Sequence, residues 1–359
     1  MEISAILRHF SIDLPVAPFG NGHINSTFRV GDPPRYILQK VNTVVFTDPD
    51  GLMANVVAVT AYLREQIAKA GGDPDRETLT YLPTTDGKYI YRDEEGNCWR
   101  VYRFIGDADA YENATPELFA ESARAFGRFQ RMLANFPAHT LCETIPQFHD
   151  TGARLEQLKT AIRENRSGRA DAVRAEIDFA LARAAETRVI TNAIADGSVP
   201  LRVTHNDTKL NNVLFDHKTG KSLCVIDLDT VMPGSLLYDY GDALRFGAST
   251  AAEDEQDLSK VHFDVELFRA YTNAYLEELA GRITPREIEL LPMGAKLMTL
   301  ECGMRFLADH INGDVYFRIH REGHNLDRAR TQFKLVAEME QKSDQLNGIV
   351  AELRKRYGI

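Results

Sequence analysis

This sequence predicts an α+β chain of two lobes: a small N-terminal lobe over residues 1–105 and a larger, mostly helical C-terminal lobe over 106–359. Three observations carry that expectation. Alternating apolar segments separated by glycine turns crowd the N-terminal stretch, the pattern of an antiparallel sheet. Beyond it, apolar residues recur at helical spacing. A single hairpin interrupts those helices and carries a dense run of polar residues.

The chain begins with Ile3–Phe10, whose apolar groups are spaced for a short helix. Val16–Val30 reads as two strands around Gly20-Asn21-Gly22. Such a turn either covers phosphates, glycine letting backbone N–H groups approach them, or is a plain tight turn. A third strand, Arg35–Lys40, follows, with Gln39 and Lys40 on opposite faces. Asp48-Pro49 starts a helix striped by Leu52, Val56, Val59, Leu63 and Ile67. Leu79–Leu82, Tyr89–Tyr91 and Trp99–Ile105 complete the sheet.

After Phe104 and Ile105 the pattern becomes helical. Phe119, Ala123, Phe126, Phe129 and Leu133 form the core stripe of one long helix. Residues 154–195 form a charged helical region, and 265–280, 285–311 and 325–356 read as three further helices. The hairpin is expected to pair Asn212–Phe215 with Leu223–Ile226 across the turn Asp216–Lys221.

Around that hairpin the polar positions read His205-x-Asp207-x-Lys209-x-x-Asn212, then Ile226-Asp227. Phosphoryl transfer needs a carboxylate beside the attacking hydroxyl, with an amide and a second carboxylate to hold the magnesium of the nucleotide. An isolated Asp and Asn five apart would mark a turn. The full order of His, Asp, Lys, Asn and Asp is that of a kinase catalytic loop. A hairpin brings Asn212 and Asp227 to one rim, as two ligands of one hard cation require.

At these residues the sequence resembles the aminoglycoside phosphotransferase and choline kinase superfamily, whose fold is protein-kinase-like. His205–Asn212, Ile226–Thr230, Met232–Ser235, Gly241-Asp242, Arg245–Thr250 and Glu301–Asp309 are similar to the bacterial N-acetylhexosamine 1-kinases within it. So are Gly22–Asn25 and Arg35–Gln39. The resemblance implies ATP-dependent phosphorylation of the anomeric hydroxyl of N-acetylglucosamine or N-acetylgalactosamine, with Mg2+. It implies Asp207 as base, Lys209 beside the transferring group, and Asn212 and Asp227 as metal ligands. Nucleotide contacts would come from Gly20, Gly22, Asn25, Gln39 and Lys40, and from the backbone of Phe104 and Ile105. Sugar contacts would come from Asp207, Asp229, Arg305, Tyr316 and His23. Two points depart from the superfamily pattern. Gln39 stands where a phosphate-binding lysine is expected, so that either Lys40 reaches round through a bulge or Gln39 only hydrogen-bonds. The helix after the third strand offers only Glu65, late in its course, to orient such a lysine. Asp242 is expected to brace the catalytic loop and His205 to support it. A relative acting on an aminoglycoside, choline or amino alcohol would keep Asp207, Asn212 and Asp227 but line its acceptor site with acids.

The totals agree. A net charge of −10 over 359 residues argues against nucleic-acid or anionic-membrane partners and leaves small molecules. Cys98, Cys142, Cys224 and Cys302 stand far apart, suggesting neither zinc nor disulfides. There is no apolar leader and no apolar run of about 20 residues, so the cytoplasm is the expected compartment.

Overall fold

A computed structural model describes residues 3–20, 24–112 and 115–359. In chain order, α1 (Ile3–Arg8) leads into β1 (Val16–Pro18), β2 (Ser26–Val30) and β3 (Tyr36–Val41). Next come α2 (Pro49–Lys69), α3 (Pro74–Glu77), β4 (Tyr81–Leu82), β5 (Tyr91–Arg92), β6 (Cys98–Arg103) and β7 (Ala108–Asp109). The helices α4 (Pro116–Met132), α5 (Thr151–Glu164), α6 (Arg174–Leu181) and α7 (Val189–Ala195) precede β8 (Arg202–Thr204), β9 (Val213–Asp216) and β10 (Ser222–Val225). Helices α8 (Leu236–Gly247), α9 (Val265–Leu279), α10 (Pro285–Glu289), α11 (Leu291–Asn312), α12 (His324–Gln341) and α13 (Ser343–Tyr357) finish the chain. The class is therefore α+β, an antiparallel sheet near the N-terminus and mostly helix towards the C-terminus, as the periodicities predict.

Two compact units divide the chain. The first takes residues 1–112, 132–146 and 211–233, within which the described residues form the sheet and the β9–β10 hairpin. Its strands run antiparallel in the order β1-β2-β3-β6-β4, with β5 on β6. Strand alternation gives the sheet two different faces. Leu38, Trp99 and Val101 pack with Ile6, Leu7 and Phe10 from the leading helix and its end. On the other face Arg100 reaches Met53 of α2, Nη1 lying 3.8 Å from Sδ. The expected stripe of α2 is buried throughout, and Asp48 caps the helix by accepting from Gly51 N at 2.9 Å.

The hairpin forms where the alternation places it. Val213 pairs with Val225 and Leu214 with Cys224. Its turn is closed by Asp216, whose Oδ1 accepts from Lys218 N at 3.1 Å and Thr219 N at 3.0 Å. Gly220, at φ 64°, supplies the left-handed residue. β7 adds to the other edge of β9.

The second unit takes residues 113–131, 147–210 and 234–359. Its core is helical, built on residues such as Phe126, Tyr240, Tyr271, Tyr275 and Leu300. Two of the three long helices expected here are broken. Residues 285–311 split at Leu290, because Pro292 has no N–H to continue the first segment and opens the second. Residues 325–356 split at Lys342, although the apolar stripe runs through it. Lys342 leaves helical geometry there, at φ −96° and ψ 9°, while its Nζ bonds Phe263 O and Glu338, both at 2.8 Å.

Candidate active site

In the first unit the hairpin ends in two oxygen-bearing side chains. Ile226 N donates to Asn212 O at 2.9 Å, which fixes the residue before Asp227 against Asn212. Asn212 is buried, whereas Asp227 is exposed. Asp227 adopts φ 59° and ψ 58°, a left-handed conformation uncommon for a residue with a side chain and found disproportionately at functional sites. One amide and one carboxylate at the same end of a hairpin are a donor set suited to Mg2+, which completes its octahedron with phosphates and water.

Asp227-Leu228-Asp229 is not extended, so its two carboxylates do not share one side as alternate residues of a strand would. The left-handed Asp227 and the 3-10 turn Leu228–Thr230 send Asp229 inward, where it is 4% exposed. Its Oδ1 lies 2.5 Å from Arg100 Nη1, and its Oδ2 accepts from Asn25 Nδ2 at 2.7 Å. Both oxygens thus meet side chains of the same unit.

Arg100 also donates to Gln39 Oε1, from Nε at 3.0 Å and from Nη2 at 2.7 Å. β3 and β6 pair without a bulge, Gln39 opposite Arg100 and Lys40 opposite Trp99. Lys40 therefore does not reach round. Its Nζ sits 6.0 Å from the Trp99 ring centroid, on the face covered by α1. Burial would lower the Arg100 pKa, but the charge of Asp229 outweighs it and holds the guanidinium firmly protonated. Glu65 pairs with Lys69 at 3.7 Å on the surface of α2. Asn25 in turn accepts from Asn42 N at 2.9 Å, and Gly20 at φ 72° enters the turn before it. Gly22 and His23 lie outside the described residues. Phe104 N donates to Arg35 O at 3.0 Å, and Ile105 is buried.

In the second unit the segment His205–Lys209 is held from beneath by α8. Asp239 is fully buried and accepts from His205 N at 3.0 Å, Asn206 N at 2.8 Å and Gln130 Nε2 at 2.7 Å. Burial raises its pKa despite those donors. Asp242, one helical turn on, accepts from Thr208 N at 3.0 Å and from Arg245 Nη2 at 3.0 Å. Burial pushes the Asp242 carboxyl up, but Arg245 and Lys209 outweigh it and leave it below its ordinary value. His205 is buried against Phe126 and Phe129, and its Nδ1 accepts from Asp207 N at 3.2 Å. The loop therefore delivers a half-buried Asp207 whose Oδ1 lies 2.7 Å from Lys209 Nζ. Burial alone would lower the Lys209 ammonium, but Asp207 and Asp242 together raise it.

Nearby in the same unit, His149 ties the loop to α11. Its Nε2 lies 3.3 Å from Asn206 O and its Nδ1 2.9 Å from Glu301 Oε1. Thr151 donates to the other Glu301 oxygen at 2.8 Å. One turn along α11, Arg305 lies 5.6 Å from the Phe148 ring and 5.4 Å from the Phe317 ring. Among the described residues it makes no ion pair. Asp309 accepts from the backbone N of Val315, Tyr316 and Phe317 at 3.0, 2.9 and 2.9 Å, fixing the loop that presents a 70% exposed Tyr316.

Residues 15–281 match the model of the phosphotransferase enzyme family. This chain belongs to that family. It shares its fold with an aminoglycoside phosphotransferase from Alicyclobacillus acidocaldarius, at TM-score 0.62 and 14% identity over 99% of this chain and 96% of the other. A choline/ethanolamine kinase family protein from Mesorhizobium loti superposes at TM-score 0.53 and 18% identity, covering 95% and 92% of the two chains. A spectinomycin phosphotransferase in complex with ADP and spectinomycin does so at 0.54 and 13%, covering 96% and 98%. Among the described residues no helix is long and apolar enough to cross a membrane.

Sequence reasoning gave no role beside the loop to four residues: Arg100, Asp239, His149 and Glu301. An Asp three positions before Asp242 on one helix face was a readable signal for Asp239. Nothing local distinguishes Arg100 from any other strand arginine.

Proposed function

We propose that this chain transfers the γ-phosphoryl group of ATP to the anomeric hydroxyl of an N-acetylhexosamine, N-acetylglucosamine or N-acetylgalactosamine. The reading rests most on the catalytic loop, a half-buried Asp207 carboxylate beside Lys209, held by the buried Asp239 and Asp242 in a chain of phosphotransferase family. Asp207 accepts the proton of O1 as that oxygen attacks phosphorus in line. An anomeric hydroxyl is more acidic than other sugar hydroxyls, so a carboxylate of ordinary basicity suffices, and positioning contributes most of the rate. Lys209 stands beside Asp207 and offers positive charge to the transferring group. Asn212 and Asp227 hold Mg2+, which when bound neutralises charge on the nucleotide phosphates. Asn25 and Gly20 flank the turn read as covering the phosphates.

For the acceptor, the supporting observation is Arg305. It stands over two aromatic rings without an ion pair among the described residues, while Glu301 is engaged by His149 and Thr151. An amide or hydroxyl oxygen of an N-acetylated sugar can accept from that guanidinium, and Tyr316 offers a ring or hydroxyl beside it. A cationic aminoglycoside or choline would meet like charge there. Coupled ADP release with N-acetylglucosamine, N-acetylgalactosamine, choline and kanamycin tests the reading. Turnover is expected with a hexosamine; turnover with choline or kanamycin alone overturns the acceptor assignment.

A further inference from the structure

We infer that Arg100 is a positioning residue for the metal-bearing loop: through the buried Asp229 it fixes Asp227, and through Asp229 and Asn25 it joins that loop to the start of β2. The inference rests on the reading of Asp227 as a ligand of the nucleotide's magnesium.

The argument starts from two side chains that are costly to bury. Arg100 and Asp229 expose only 1% and 4% of their side chains and approach to 2.5 Å. A buried ion pair is weak evidence for stability, since an apolar pair of similar size often serves as well. Its geometry, however, is specific. The guanidinium fork is fixed on one side by two hydrogen bonds to Gln39, itself tied to Thr27 Oγ1 at 3.2 Å. On its other side it meets Asp229. The remaining Asp229 oxygen takes Asn25, whose own oxygen is held by Asn42 N. The result is one connected polar network from β2 and β3, through β6, to the turn that follows Asp227.

That turn needs an anchor. Asp227 sits in the left-handed region, uncommon for any residue with a side chain and enriched at functional sites. Two residues later the chain is fixed by Asp229, so the pair with Arg100 sets where the Asp227 carboxylate is presented. Gln39 thereby acquires a role other than phosphate binding: it aims the arginine. In this chain a cation on the neighbouring strand, working through a carboxylate, stands where a lysine of β3 was expected.

The test measures metal binding without an acceptor. Mn2+ is titrated into protein saturated with ADP and the free ion followed by electron paramagnetic resonance, with adenosine affinity measured in parallel. Asp227→Ala sets the scale of full loss; if it leaves Mn2+ binding intact, the reading of Asp227 fails, not the network alone. Arg100→Lys keeps the charge and loses the fork, and is expected to weaken Mn2+ binding about tenfold or more, with adenosine affinity within about twofold. The double variant Arg100→Met with Asp229→Leu replaces the ion pair by apolar groups, preserves folding where the single change does not, and should lose Mn2+ binding to the same degree. Asn25→Ala, at a half-buried position, should lose part of it. Unchanged Mn2+ binding in these variants, or adenosine affinity falling in step with it, overturns the inference.

Discussion

Asp239 holds His205 by the backbone rather than by the ring: Oδ2 accepts from His205 N at 3.0 Å while Oδ1 accepts from Asn206 N at 2.8 Å. The carboxylate is fully buried and carries three N–H donors, counting Gln130. Asp239→Asn leaves one acceptor oxygen where there were two and turns an NH2 group against a backbone donor. The expected outcome is a loss of about 1–3 kcal/mol in urea unfolding, the penalty of an unsatisfied buried donor. Because the displaced backbone belongs to the residues before Asp207, kcat should fall more than the KM values change.

Asp207 and Lys209 separate in their effects. Removing a general base typically costs between about 10²- and 10⁴-fold. Asp207→Asn should therefore leave under about one hundredth of kcat in coupled ADP release, with ADP affinity little altered. Lys209→Met removes a charge half-exposed beside that carboxylate, and should lower kcat by about tenfold or more while the fold is retained. Retention of most activity in Asp207→Asn would remove it from the role of base.

The contrast between those residues and Arg100 shows what a sequence can carry. His205, Asp207 and Lys209 lie within one loop, so their order in the chain is nearly their order in space. The hairpin is legible for the same reason: alternating Val213, Phe215 and Cys224, with Asp216 and Gly220 at a turn, is local chemistry. Arg100 owes its meaning to a strand register that sets it opposite Gln39 and to a carboxylate on a distant turn. Periodicity places it on a face but cannot name its partner. The burial of Asp229 was illegible for a related reason, since it follows from the left-handed backbone of Asp227 and the 3-10 turn after it. The break at Leu290 was readable from Pro292, whereas nothing in the apolar pattern marks that at Lys342.

Lys40 gives a clean test of that register. Its ammonium stands 6.0 Å from the Trp99 ring on the face packed under α1, away from Gln39 and Arg100. Lys40→Met should change the KM for ATP by less than about twofold and lower stability by no more than about 1 kcal/mol, the size of an exposed cation–π contact. A large rise in that KM would mean that the lysine serves the nucleotide after all.

Glu301 supplies the pH dependence. Burial by itself would raise its carboxyl, but His149 at 2.9 Å, the hydrogen bond it makes and Arg305 outweigh this and hold it below the model-compound value of 4.5. A folded-state pKa below the unfolded one contributes stability that is fully present above the unfolded value and is lost as pH falls through the folded one. The native protein should therefore lose stability as pH drops below about 4.5, as unfolding takes up a proton that the folded carboxylate refuses. Glu301→Gln removes that proton uptake while keeping a partner for Thr151 and the ring of His149. Its stability should be lower than that of the native protein at pH 7, and its decline between about pH 5 and 3 shallower. Chemical unfolding followed at several pH values checks this. Parallel acid limbs for the two proteins would show that Glu301 is not held ionised by its neighbours.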